Sequence, residues 1–123
     1  MTILVVEDSK LLRIATTRAL AQAGYRVTCA TDGEEALRMV LDSPPDLILL
    51  DMILPKITGL DVLRILKGDP NTKKIPVIVL SGLSQANRQR LVEEGAAAFL
   101  EKSQNILEND SSDLIETVKR VLK

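Results

Sequence analysis

Histidine is missing altogether from the 123 residues. That removes histidine-based acid–base catalysis, histidine-ligated metal sites and a phosphohistidine carried by this chain. Cys29 is the only cysteine, so no internal disulfide can form, which fits a reducing compartment. Basic runs are absent as well. With a formal net charge of −1, the chain carries no electrostatic footprint for nucleic acid or an anionic membrane. No stretch approaches the roughly 18 apolar residues needed to span a bilayer. The opening "MTILVVED" runs directly into an apolar strand and predicts no signal peptide. Together these absences predict a cytoplasmic protein with no membrane partner and no direct nucleic-acid partner.

What is present is an ordinary globular balance, 46% hydrophobic and 27% charged, in a chain long enough to bury a core. Residues 1–123 read as a single domain, whether complete or cut from a longer protein. Short apolar runs alternate with longer amphipathic ones. Ile3–Val6, Leu47–Leu50 and Val77–Leu80 are continuous apolar runs of strand length, suited to the middle of a parallel sheet covered on both faces. Val27–Ala30 and Ala96–Leu100 are weaker and suit sheet edges. Helices fit between them. Ser9 caps the first, which ends near Gly24, with Leu11, Leu12, Ala15 and Ala19 facing inward. Asp32 caps the second, with Glu34 and Glu35 in its first turn and Ala36, Leu37, Val40 and Leu41 facing inward. Leu60, Leu63 and Leu66 mark a third. Ser84 caps a fourth, which ends at Gly95. Leu114, Ile115, Val118, Val121 and Leu122 mark the last. The pattern is α/β: (βα)5, a doubly wound five-stranded parallel sheet with helices on both faces.

In such a sheet ligands bind at the carboxyl ends of the strands. The first strand ends in Glu7-Asp8, the third in Asp51, the fourth in Ser81-Gly82 and the fifth in Glu101-Lys102. Singly, each has an ordinary reading as a loop start, a turn serine or a solvated lysine. Glu7-Asp8 alone merely favours the positive end of the first helix. Together they gather on one sheet edge. Carboxylates held that close repel one another unless a cation lies between them. Oxygen ligands without histidine or a nearby cysteine call for a hard divalent ion, and Mg²⁺ fits best because it keeps waters and accepts phosphate oxygens. Lys102 suits a phosphate oxygen, Ser81 can donate a hydrogen bond to another, and Asp51 is then a nucleophile able to form an acyl phosphate.

At this point the chain resembles the receiver domain of two-component response regulators, over essentially its whole length. "ILVVEDS", "PDLILLDMILPKITGLDVL", "IPVIVLSG" and "GAAAFLEK" are similar to the family's first, third, fourth and fifth strands with the loops that follow them. The most specific segment is D-x-x-x-P-x-x-x-G at Asp51, Pro55 and Gly59. The resemblance implies the flavodoxin-like strand order 2-1-3-4-5. It implies that Asp51 accepts a phosphoryl group, and that Asp8, Asp51 and the backbone carbonyl of Ile53 bind Mg²⁺, with Glu7 acting through a water. Ser81 and Lys102 would hold the phosphoryl oxygens, and Phe99 would act with Ser81 as the conformational switch. It further implies a histidine kinase or phosphotransfer protein as donor. An output domain or partner protein would read the surface of the fourth helix, fifth strand and fifth helix. A homodimer formed on phosphorylation is compatible with this.

Two departures stand out. Ser103 replaces the proline that the family carries after its lysine, and the irregular piece Ser103–Ser112 is longer than the family's usual loop. Two readings compete with a phosphorylation switch. An aspartyl-nucleophile phosphatase would need a second aspartate two residues after the first, where this chain has Ile53. A degenerate receiver that only binds a partner would not need the complete set of carboxylates, serine and lysine. Ile53 and Leu83 also lack any group to orient an attacking water, which predicts slow loss of the phosphoryl group.

Overall fold

The computed structural model describes residues 1–81, 88–101 and 112–123, with Ser81 and Arg88 described at the backbone only. Strands β1 (Thr2–Val6), β2 (Arg26–Ala30), β3 (Leu47–Asp51), β4 (Val77–Ser81) and β5 (Ala98–Glu101) alternate with helices α1 (Lys10–Gln22), α2 (Gly33–Asp42), α3 (Gly59–Gly68), α4 (Arg88–Glu93) and α5 (Ser112–Leu122). The sheet runs β2-β1-β3-β4-β5, and every neighbouring pair is parallel. This is the flavodoxin-like order that the resemblance implied. The two weaker apolar runs form its edges.

The strand alternation divides the core into two layers. Leu4, Val6, Ile48, Leu50, Val77 and Val79 face α2, α3 and α4 and pack with Ala36, Val40, Val62, Leu63, Leu66 and Leu91. Ile3, Val5, Leu47, Leu49, Ile78 and Leu80 face α1 and α5 and pack with Leu20, Leu114 and Val118. All of β3 is buried, because it is the middle strand and both layers cover it. Burying such a residue is worth about 1.5–3 kcal/mol, which fixes β3 as the rigid bar of the fold.

The caps fall where the sequence places them. The Ser9 side chain accepts from the Leu12 N–H, and that of Asp32 from the Glu35 N–H. Gly24 ends the α1 turn with φ +97, and Gly95 follows α4 with φ +109. Two inward positions need correction. Leu11 is 66% exposed and Leu41 67% exposed. The buried side of α1 is Thr16 and Leu20, and Leu11 stands half a turn from Leu20 at about 100° per residue. In α2 the inward line is Gly33, Ala36 and Val40, and Leu41 lies well off it. The expected Ser84 cap lies outside the described residues, as do residues 103–111. Ser112 opens α5. Among the described residues no helix is long and apolar enough to cross a membrane.

Candidate functional site

β1 and β3 are neighbours in a register that sets Val6 opposite Leu50. The residues that follow, Glu7 and Asp51, therefore emerge side by side at the carboxyl edge. Asp8 comes one step later, where the chain turns into α1. Glu7, Asp8 and Asp51 each offer a carboxylate oxygen, and these oxygens lie within 4.8 Å of one another. Glu7 and Asp51 are buried while Asp8 is exposed, so the cluster has a protein floor and one limb open to water. Asp51 Oδ1 accepts from the Ile53 N–H at 3.2 Å. Glu7 Oε2 accepts from the Ser9 N–H at 3.1 Å. Both bonds fix how the carboxylates are turned. Oxygen donors at this spacing, two of them held in place, form a site that a hard divalent cation fits.

The other expected residues divide by what is described. Leu80 pairs with Asp51 across β3 and β4, and Ser81 pairs with Glu101 across β4 and β5. The backbones at Ser81 and just before Lys102 thus end at the same edge as Asp51. Lys102 itself, Gly82 and Leu83 lie outside the described residues, and so does the Lys102–Ser103 bond. The side chain of Ile53 is 68% exposed. Phe99 is buried in the layer that contains Leu91 of α4 and Val79.

The loop from Met52 to Thr58 shows why a glycine must follow the proline at its fixed spacing. It doubles back so that the Gly59 N–H donates to the Met52 carbonyl at 2.9 Å. A Cβ on Gly59 would overlap the Asp51 carbonyl oxygen and lie 2.6 Å from the Met52 Cα. Only glycine lets α3 start against the strand that ends in Asp51. In the same loop Lys56 has φ 70, a left-handed conformation costing roughly 1–2 kcal/mol in a non-glycine residue. Its ammonium lies 3.6 Å from Asp32 and 3.7 Å from Glu34, clipping the loop to the start of α2. The Glu35 N–H, and after it Lys56, hold the Asp32 carboxyl below its ordinary range.

Sequence reasoning missed Lys56, because a lysine after Pro55 gives no sign of its backbone angle. It also missed Arg13. The Arg13 guanidinium donates from Nη1 to the carbonyls of Glu7 at 3.0 Å and Asp8 at 3.4 Å. Its distance along the chain from the acidic pair hid a contact that only the helical turn creates. A groove of about 690 Å³, lined by Cys29, Glu35, Arg38, Met39, Leu41 and Asp42, lies between β2 and α2 and contains none of the acidic trio.

Comparison with known proteins places this geometry in context. Residues 3–118 match the response regulator receiver domain. The gliding motility regulatory protein of Myxococcus xanthus is 42% identical over 85% of this chain and 14% of its own length. The two-component response regulator ORR3 of Oryza sativa is 37% identical over 81% of this chain and 78% of its own length. The chain spans 14% to 43% of the length of other curated relatives, among them a probable cyclic di-GMP phosphodiesterase of Vibrio cholerae, of which it spans 24%. Among solved structures, the response regulator TrrA of Thermotoga maritima, in complex with Mg²⁺-BeF, is 32% identical with a TM-score of 0.84, covering 98% of this chain and 97% of its own.

Proposed function

The chain belongs to the response regulator receiver family and is a signalling domain of the two-component type, and on that premise we propose that Asp51 is its phosphoacceptor. The observation that carries this is the carboxylate trio, with oxygens within 4.8 Å of one another and Asp51 buried at the end of the central strand. A phosphorylated histidine of a kinase or phosphotransfer protein gives up its phosphoryl group. The N–P bond breaks, an O–P bond forms on Asp51, and the carboxylate becomes an acyl phosphate. Hydrolysis later returns the carboxylate and inorganic phosphate.

Glu7, Asp8, Asp51 and the Ile53 carbonyl would hold Mg²⁺, and the Mg²⁺-BeF complex of TrrA supports that reading. When bound, the ion offsets the negative charge that gathers as phosphate approaches carboxylate. The Ile53 N–H, bonded to Asp51 Oδ1, keeps the carboxylate turned toward the donor. Ser81 and Lys102 are assigned to the phosphoryl oxygens, a reading supported by the β4–β5 register that brings Ser81 and Glu101, the residue before Lys102, to this edge. Phe99 shares a packed layer with Leu91 of α4, so a shift of Ser81 would be felt at the α4–β5–α5 surface. That surface is the proposed contact for an output domain, a partner protein or a second copy after phosphorylation.

The domain is proposed to turn over no outside phosphoester, since Ile53 stands where a second acid would be needed. We place it in the cytoplasm, as a single receiver unit over residues 1–123 of a regulator that can extend beyond it. The test is incubation with acetyl phosphate and Mg²⁺. The parent should gain the mass of one phosphoryl group, and Asp51→Asn should gain none. A stable phosphoryl group on Asp51→Asn at the parental rate overturns the assignment.

A further inference from the structure

We propose that Arg13 is a positioning residue for the metal site, holding the main chain of Glu7 and Asp8 so that their carboxylates face Asp51. The inference rests on the metal reading above and concerns how this chain builds the site.

Arg13 sits one turn past the Ser9 cap, its N–H bonded to the Ser9 carbonyl at 2.9 Å. A guanidinium near a helix N-terminus is poorly placed with respect to the helix dipole, which favours anions there. The helix dipole therefore does not account for its position. Its contacts do. Nη1 reaches back to the carbonyl oxygens of both Glu7 and Asp8, the two consecutive residues that lead out of β1. Glu7 is meanwhile held by its own side chain on the Ser9 N–H. Main chain and side chain of the acidic pair are thus tied independently, and both ties run to α1.

The choice of acceptor matters. A salt bridge from Arg13 to either carboxylate would compete with a divalent ion for the same oxygens. By donating to carbonyls, Arg13 fixes the turn and leaves the carboxylates to the cation. The guanidinium fork suits this task, since its donors are held in fixed directions. A lysine in its place would supply the charge without the fixed geometry.

Charge and geometry predict opposite signs, which makes the inference testable. Removing a positive charge beside a cation site should tighten Mg²⁺ binding by Coulomb's law. Removing a support for the ligands should weaken it, and partners behind metal ligands commonly contribute about 10–100-fold in affinity. The experiment is calorimetric titration of the full chain with Mg²⁺, in the parent and in Arg13→Met, Arg13→Lys and Arg18→Met. Arg18 is an exposed arginine of the same helix and controls for the charge change. Metal-free melting temperatures are recorded alongside.

Arg13→Met should raise the Kd for Mg²⁺ about tenfold, Arg13→Lys should raise it less, and Arg18→Met should not raise it. An unchanged or lower Kd in Arg13→Met overturns the inference. So does an equal weakening in Arg18→Met, or a fall in the metal-free melting temperature with no change in Kd. Loss of Mg²⁺ binding in the parent itself would overturn the metal site along with it, whereas parental affinity in Arg13→Met overturns only the role of Arg13.

Discussion

Two glycines of one helix show how far a residue's worth depends on what lies beside it. Gly59 opens α3 and Gly68 closes it. A Cβ on Gly59 meets the backbone of Asp51 and Met52, whereas a Cβ on Gly68 meets nothing within 4 Å. Gly59→Ala should therefore destabilise the domain by about 1–3 kcal/mol, because backbone must shift to admit the methyl. Gly68→Ala should stabilise it by about 0.5–1 kcal/mol, through lost freedom of the unfolded chain. Urea unfolding of both variants checks the opposed signs. Ile53 makes a kinetic case. Its exposed side chain carries no group to orient a water beside Asp51, and Leu83 offers none either. The double variant Ile53→Asn/Leu83→Glu should lose its phosphoryl group about 10-fold faster or more, a change of about 1.4 kcal/mol per factor of ten. Following dephosphorylation after donor removal decides it, and an unaltered lifetime clears both residues of the role.

Between elements, α3 and the end of α4 are joined by a two-pronged ion pair. Arg64 Nε lies 3.1 Å from Glu94 Oε2 and Nη2 lies 3.0 Å from Oε1. Arg64 holds the Glu94 carboxyl below its ordinary value of 4.5. Beside it, the Lys67 stem lies where a Cβ on Gly95 would be, and its ammonium donates to the carbonyls of Lys73 at 3.0 Å and Ile75 at 2.8 Å. The Arg64–Glu94 pair ties the C-terminal end of α4 to α3. A carboxyl depressed in the folded state adds stability above its unfolded pKa and loses it as pH falls through the folded value. Relative to Glu94→Gln, the parent should show a small advantage near pH 6 that disappears below about pH 4. The advantage should also shrink in high salt, since the pair is solvent-accessible. Parallel unfolding curves across that range, at low and high salt, test both statements.

For the molecule as a whole, the cost of the site is concentrated in one cluster. Two buried carboxylates and an exposed one share a sheet edge, and their mutual repulsion opposes folding. A ligand that binds only the folded state stabilises it by mass action. Added Mg²⁺ should raise the melting temperature of the parent progressively, and it should leave that of Asp8→Ala unmoved. Equal shifts in the two proteins would mean that the ion acts elsewhere. The same cluster would link stability to signalling, since the groups whose like charges a cation would offset are those proposed to receive metal and phosphate.

The strand order, the central position of Leu47–Asp51 and the caps at Ser9 and Asp32 were legible in the sequence. The central strand and the caps follow from period, propensity or a short-range hydrogen bond, which are properties of neighbouring residues, whereas the strand order came from the resemblance to the receiver family. The gathering of Glu7, Asp8 and Asp51 was legible for a related reason: strand ends in a parallel sheet share an edge whatever the intervening helices contain. What faces inward on α1 and α2 was less so. Leu11 and Leu41 are apolar but lie off the lines set by Leu20 and Val40, and a helix acquires its buried line only when it lands on a sheet. The clip of Lys56 onto Asp32 and Glu34 and the tie of Arg64 to Glu94 were decided by tertiary structure alone. Each depends on two segments distant in sequence approaching within ion-pairing distance, and no local pattern of residues encodes that distance.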